Sequence, residues 1–359
     1  MAPVFIVSTA VIFGLIIVFH ELGHFIVAKL SGMPVLEFSV GFGRPVLFSI
    51  TRGETRYALR PLPLGGFVQI GGMEPGEDLP NGFDKHPLYQ RALVIFSGGF
   101  MNLVLAALIF VAMGLAFGRP VGSTTRIASV LPGRPAQKVG LHVGDVIVAA
   151  NGVRGKVGDL RKVIAAHPGR PLDLLIRREG QERHVRVTPA VDTEQIFEPP
   201  HEGAPPQYRE RKIGVIGVSF APITKPMGVG ESIGRGFAEA LSKTYLLGYL
   251  FLQTLLGRLP VEVGGPVRIV YEIGQAAHIG WASFLSLGAF LSVNVGFLNL
   301  LPFPALDGSR LVFMLVELVR RRPLDRRKEA MVHFVGLVIL LTLVAVVTVH
   351  DILFLRGGQ

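Results

Sequence analysis

Phe19-His20-Glu21-Leu22-Gly23-His24 is the stretch of this chain best suited to chemistry. On a helix, histidines four residues apart share one face, so the two imidazoles can hold a single Zn2+. Glu21, turned about 100° from His20, can face a water at that metal. Metal-assisted hydrolysis is the chemistry such a set performs. The motif lies in an apolar run over about residues 4–31 that is long enough to cross a bilayer, where ionisable side chains are costly and functional by default. A zinc site of this kind commonly takes a third protein ligand and leaves one position open. Asp307 is the best candidate for that ligand. It sits in Asn299-Leu300-Leu301-Pro302-Phe303-Pro304-Ala305-Leu306-Asp307-Gly308, where two prolines break the helix and Gly308 permits a turn, so the carboxylate can project sideways toward another helix.

The elements that must position these residues are membrane helices. Of 359 residues, 50% are hydrophobic and 17% charged, well below the roughly 25% charge of soluble domains; the mean hydropathy is +0.49. Four spans are expected, at about residues 4–31, 91–117, 281–303 and 331–349. The net charge of +10 does not point to nucleic acid, because no basic patch is interleaved with aromatics. Its densest cluster, Arg320 to Lys328, lies between two apolar runs and marks the cytoplasmic side. Four spans then bring His20 and Asp307 to the same, cytoplasmic, side; a fifth would split the site across the bilayer. The absence of cysteine excludes disulfides and thiolate zinc sites. The first apolar run outlasts a signal peptide and is expected to be retained.

Residues 1–118 form an expected N-terminal membrane half. Between its two spans, Leu36 to Ile70 alternates apolar residues with glycines and reads as hairpin-like β structure. Gly65, Gly66, Phe67 and Val68 belong to an edge strand able to pair with an unwound substrate. Residues 119–192 change to a soluble α/β pattern, and Pro135-Ala136-Gln137-Lys138-Val139-Gly140-Leu141, Val143-Gly144-Asp145-Val146-Ile147 and Asn151-Gly152 resemble a bacterial PDZ domain, which implies an extracytoplasmic peptide-binding module. Residues 193–225, with Pro199-Pro200 and Pro205-Pro206, read as a linker carrying one strand near Ile213 to Phe220. In 226–275 the spacing of Ile233, Phe237, Leu241, Tyr245 and Leu252 beside four charges predicts an interfacial amphipathic helix in contact with lipid. Residues 276–359 are the C-terminal membrane half. His333, opening the fourth span, reads as an interfacial residue, with a supporting role in the site as the alternative.

In their order along the chain, Phe19 to His24, Gly65-Gly66, Ser97-Gly98-Gly99-Phe100-Met101-Asn102, the PDZ-like insert, Val263-Gly264-Gly265-Pro266 and Asn299 to Gly308 resemble the bacterial site-2 protease family of intramembrane zinc metalloproteases, close to the regulator-of-sigma-E protease type. The resemblance implies a polytopic α-helical membrane protein with a membrane-associated β-hairpin and an inserted α/β PDZ domain. It implies one Zn2+ per chain held by His20, His24 and Asp307, with Glu21 as the catalytic base and Asn299, Pro302 and Pro304 lining the substrate path. The implied substrates are single-span membrane proteins, either an anti-sigma factor trimmed by an upstream site-1 protease or remnant signal peptides. The place is the bacterial plasma membrane. The single PDZ-like domain, Gly98-Gly99 where many relatives have Gly-Pro, and Ser309 in place of a second Gly depart from the family pattern without touching a proposed ligand. The alternatives are an ion transporter, since intramembrane His, Glu and Asp also mark ion relays, and a silent PDZ scaffold. Few spans without an inverted repeat argue against the first, and four intact catalytic positions against the second.

Overall fold

The computed structural model of the protein describes residues 2–74, 76–77, 79–198, 207–259, 264–322 and 324–357. Helix α1 (Ala2–Leu30) carries the His/Glu motif and leads into β1 (Val35–Phe42), β2 (Phe48–Arg52), β3 (Thr55–Leu59) and β4 (Leu62–Ile70). Helix α2 (Leu88–Phe117) follows, then a β-rich insert: β5 (Arg119–Val130), α3 (Pro135–Lys138), β6 (Val146–Ala150), β7 (Val153–Arg154), α4 (Val157–Ala165), β8 (Leu172–Arg178), β9 (Gln181–Val187), β10 (Ala190–Glu198), β11 (Gln207–Val215) and β12 (Val218–Lys225). The chain closes with α5 (Val229–Leu255), α6 (Pro266–Ile279), α7 (Trp281–Leu300), α8 (Asp307–Arg320) and α9 (Arg326–Gly357). Among the described residues, four helices are long and apolar enough to cross a membrane, at Val4–Leu30, Leu88–Phe117, Trp281–Leu300 and Arg327–Leu353.

Between lipid-facing helices the hydrophobic effect supplies little association, so close backbone approach has to do it. Glycines make that approach possible. A Cβ on Gly23 of α1 would lie 2.3 Å from the Ser97 carbonyl oxygen of α2, and one on Gly99 would lie 2.9 Å from the Gly296 carbonyl oxygen of α7. A buried hydroxyl adds a polar tie: Ser292 Oγ donates to the Asn102 carbonyl at 2.7 Å.

The segment expected as a hairpin is a four-stranded sheet in the order β2-β3-β1-β4. Only β2 and β3 form a local hairpin, closing at Arg52 and Thr55. β1 pairs with β3 in parallel and with β4 in antiparallel, leaving β4 at an edge of the sheet. Local alternation marks strands without naming their partners, which explains the difference.

The insert is built on a sheet in the order β12-β5-β6-β8-β9 with β7 beside β6. Its core joins Ile127, Leu160, Leu174 and Ile176 to Ile216 and Phe220, so the unit reaches Lys225 and does not end at 192. Much of the expected linker is structured: β10 (Ala190–Glu198) pairs antiparallel with β11 (Gln207–Val215), and β12 runs antiparallel along β5. A two-stranded ribbon need not bury a face, so its sequence carries no apolar alternation and its charges resemble a linker. Pro199-Pro200 and Pro205-Pro206 lie outside the described residues.

The expected interfacial helix is α5, and it packs lengthwise on α2. A Cβ on Gly114 would lie 3.3 Å from Ser232 Cβ, and one on Gly236 would lie 2.9 Å from the Ala107 carbonyl oxygen. Ala240 shares a cluster with Ala106, Ala107 and Ala289. Ser232, Gly236 and Ala240 recur every four residues and make a smooth face, a signal that the apolar spacing on the other side of the helix concealed.

Candidate active site

His20 and His24 stand one turn apart on α1 with their ring centroids 4.8 Å apart. Asp307 opens α8 and comes to them from the other half of the chain. Pro302 and Pro304 keep the segment between α7 and α8 out of helix, as expected. Its left-handed residue is Ala305, at φ +80°, whereas Gly308 lies inside α8. The lack of a side chain at Gly308 serves proximity instead, since a Cβ there would lie 2.1 Å from the Leu301 carbonyl oxygen.

Three atoms converge. His20 Nε2 lies 3.1 Å and His24 Nε2 3.2 Å from Asp307 Oδ2, and the two Nε2 atoms lie 3.2 Å apart. Four-coordinate zinc with bonds of about 2.0 Å separates its ligand atoms by roughly 3.3 Å, so the triangle has the edge length of a zinc tetrahedron. The chemistry of the atoms agrees. His24 Nδ1 donates to the Val94 carbonyl at 2.7 Å, which leaves its Nε2 with a lone pair in the neutral ring. Asp307 Oδ2 is buried without a hydrogen-bond donor. Electron-pair donors packed this closely, with His24 buried and His20 and Asp307 at the wall of a cleft, call for a cation, and two imidazoles with a carboxylate suit zinc. His20, His24 and Asp307 form the sole such cluster of His, Asp or Glu among the described residues.

Around the triad, glycine and asparagine set the fit. A Cβ on Gly98 would lie 2.3 Å from His24 Nε2 and 2.8 Å from His20 Cε1, so the rings occupy space that only glycine leaves free. The carboxamides of Asn102 and Asn299 approach His20 Nδ1 at 3.5 and 3.4 Å. Asn102 is fully buried, and its Oδ1 has no partner. With the carboxamide turned over, that oxygen accepts the Nδ1–H which His20 carries when its Nε2 binds metal.

Glu21 stands apart from the triad. Its Oε2 accepts the backbone N–H of Val68 at 2.9 Å, so the edge strand β4 holds the carboxylate directly. Because that N–H points away from β1, outward-facing backbone groups recur at every second residue of β4. Both sides open on one cleft of about 440 Å³, whose walls include Glu21, Phe67, Val68, Asp307 and His333.

Among the residues expected to bind substrate, Phe67 and Val68 line this cleft, while Gly65, Gly66, Asn299, Pro302 and Pro304 do not. Asn299 is drawn onto His20. Pro304 is pressed against α9, where a Cβ on Gly336 would lie 2.2 Å from its own Cβ. Gly65 makes room for the Phe42 ring. Sequence reasoning assigned no role to Gly98 or Asn102. An amide inside an apolar span was the available signal for Asn102; nothing in spacing marks Gly98.

The family model described as Peptidase family M50 matches residues 8–343. A putative zinc metalloprotease of Clostridium perfringens is 36% identical over 354 residues, covering 98% of this chain and 99% of the relative. Zinc metalloprotease RasP of Geobacillus kaustophilus is 33% identical, with 97% of each chain covered. The regulator of sigma-W protease RasP of Bacillus subtilis is 28% identical, covering 97% of this chain and 98% of that one. With four candidate spans, a zinc-fitting triad and a match over nearly its whole length, the chain belongs to peptidase family M50, the site-2 proteases, and is a multi-pass membrane zinc metalloprotease.

Proposed function

We propose that this chain is an intramembrane endopeptidase for single-span membrane proteins, with His20, His24 and Asp307 as zinc ligands and Glu21 as the catalytic base. The observation that carries the reading is the shared cleft, in which the triad and Glu21 face an edge strand that grips the Glu21 carboxylate through Val68 N–H. His20, His24 and Asp307 would hold the zinc, which when bound would supply Lewis acidity for activating water and polarising the scissile carbonyl. Glu21 takes the water proton and returns it to the leaving amine. Val68 N–H fixes Oε2, so the carboxylate keeps one orientation while Oε1 handles the proton. A substrate helix hides its amides in its own hydrogen bonds. Once locally unwound, it can satisfy them on the free edge of β4, which presents the scissile bond in extended form.

The substrates proposed are anti-sigma factors shortened by an upstream site-1 protease, or signal peptides left in the membrane. The name of the Bacillus subtilis relative, a regulator of sigma-W protease, favours the first. The arginine cluster after α8 supports an active site toward the cytoplasm and a β5–β12 insert on the opposite side. We read that insert as a PDZ domain. Supporting this, α4 faces β12 across Phe220, with the Arg161 guanidinium 5.8 Å from the ring centroid, and β12 is the edge strand of its sheet among the described residues, the position at which an extended peptide adds a strand.

Zinc content and proteolysis test the assignment together. His20→Ala, His24→Ala and Asp307→Ala should each lose zinc, whereas Glu21→Gln should keep it and cleave nothing. Membrane proteomics of cells carrying Glu21→Gln should then show single-span fragments accumulating. Zinc retained in Asp307→Ala would remove that residue from the ligand set, and cleavage by Glu21→Gln would remove Glu21 as the base.

A further inference from the structure

We propose that His333 is a positioning residue of this site, setting the Asp307 carboxylate through the backbone of Ala305. The inference rests on Asp307 being a zinc ligand. Asp307 is the one member of the triad from the C-terminal half, and it follows Ala305 by two residues. Ala305 holds φ +80°, a left-handed conformation that side-chain-bearing residues adopt rarely and keep only when the surroundings impose it. Two contacts from α9 impose it. Ala305 N–H donates to His333 Nδ1 at 3.3 Å. One turn further along, Gly336 lets α9 lie against Pro304, so closely that a Cβ at 336 would come within 2.6 Å of the Pro304 carbonyl carbon.

The His333 ring is itself held. It packs edge-on against Phe313 of α8, centroids 5.7 Å apart, so it bridges the turn and the helix that Asp307 begins. An Nδ1 that accepts leaves the proton on Nε2. That Nε2 has no hydrogen-bond partner, and its carboxylate contact, Glu329 Oε1, stands 3.9 Å away. The Ala305 bond is therefore the ring's single hydrogen bond among the described residues. Helix α9 is otherwise sparsely covered, with Met331, Phe334, Val335 and Leu341 exposed. This imidazole acts on the metal through a strained turn, as partners behind metal ligands do when they orient them.

The test is zinc affinity, by chelator competition on the full chain in detergent, for His333→Leu, His333→Asn, Ala305→Gly and the His333→Leu/Ala305→Gly double variant, with Asp307→Ala as reference. His333→Leu keeps bulk and loses the acceptor, and should weaken zinc binding by about 10–100-fold. His333→Asn, which returns an acceptor near the place of Nδ1, should recover most of that loss. Glycine enters the left-handed region freely, so in the Ala305→Gly background His333→Leu should cost much less; this recovery also shows that the fold is intact. Equal losses in both backgrounds would overturn action through the turn. Unchanged zinc affinity in His333→Leu beside a large loss in Asp307→Ala would overturn the inference and leave the ligand assignment standing. Unchanged affinity in Asp307→Ala would overturn the assignment itself.

Discussion

Gly98→Ala is the sharpest perturbation of the metal site, because it adds one methyl group and touches no proposed ligand. The new Cβ would sit 2.3 Å from His24 Nε2, 2.5 Å from its Cε1 and 2.8 Å from His20 Cε1. Carbon and ring atoms rest at about 3.5–4.0 Å, so the His24 ring must withdraw by roughly 1 Å. It has little room to do so, since its Nδ1 is tied to the Val94 carbonyl at 2.7 Å. Helix α2 cannot retreat as a body either: a Cβ at the adjacent Gly99 would already lie 2.8 Å from Leu300. Zinc sites tolerate ligand displacements of about 0.2 Å. A shift several times larger should weaken zinc by at least about 100-fold, roughly 2.7 kcal/mol. Helix propensity works the other way, since alanine favours a helix interior by about 0.5–1 kcal/mol over glycine. The metal-free variant should thus unfold no more readily than the parent unless the clash reaches the fold. Chelator competition measures the first quantity and thermal unfolding in detergent the second. In a His24→Ala background most of the obstacle is gone, and Gly98→Ala should then have little effect on stability. Zinc affinity in Gly98→Ala equal to that of the parent would refute the steric argument.

Val68→Pro removes the N–H that holds Glu21 Oε2 and should lower kcat by about 10-fold or more while zinc content stays normal; an unchanged kcat would free Glu21 from β4. In the insert, Arg178 meets the Asp145 carboxylate with two hydrogen bonds of 2.7 Å, and this guanidinium holds the Asp145 carboxyl below the usual carboxylate range. Its stabilisation is complete above the ordinary aspartate pKa of about 4 and falls away as the pH drops through the lowered folded value, so limited proteolysis of the insert should quicken only below that range. Arg178→Met, which leaves Asp145 buried without its partner, should cost about 3 kcal/mol at neutral pH. Asp351 on α9 accepts the N–H groups of Gly265 and Arg268 at 3.3 and 3.0 Å and so caps α6 from a distant helix. Asp351→Ala should cost about 1–2 kcal/mol, read as a lower unfolding temperature.

How far the sequence could be read follows the range of the signals. His20, Glu21 and His24 are readable because a single helix turn relates them, and the spans because length and hydropathy are local properties. Asp307 was reachable through its proline-flanked setting. The mechanism of its turn was not: glycine at 308 was the natural residue for a left-handed bend, yet Ala305 takes the bend and Gly308 makes room for the Leu301 carbonyl. Ala305 is held in that state by His333, 28 residues further on, and no local pattern records such a dependence. Strand partners failed for the same reason. The alternation in 36–70 announces β structure, but the parallel pairing of β1 with β3 depends on how the strands return.

The residues that escaped sequence reasoning share a physical role. Gly98 and Asn102 act at contacts between helices and Gly336 at the contact of α9 with the turn before α8, where the lipid-exposed protein has little hydrophobic drive to press its parts together. Precision at the triad must therefore come from backbone proximity and hydrogen bonds. Gly23 lets α1 lie on the Ser97 carbonyl, Gly99 and Gly296 let α2 lie on α7, and Ser292 ties α7 to the Asn102 carbonyl. These contacts join the helix that bears both imidazoles to the helix that leads into Asp307, with α2 between them. Helix α2 contributes no atom to the triad, yet its Val94 carbonyl fixes one imidazole, its Asn102 faces the other, and Gly98 leaves space for both. The geometry of the metal site is thus a property of the α1–α2–α7 packing, and a substitution on α2 reaches the chemistry as directly as one on a ligand.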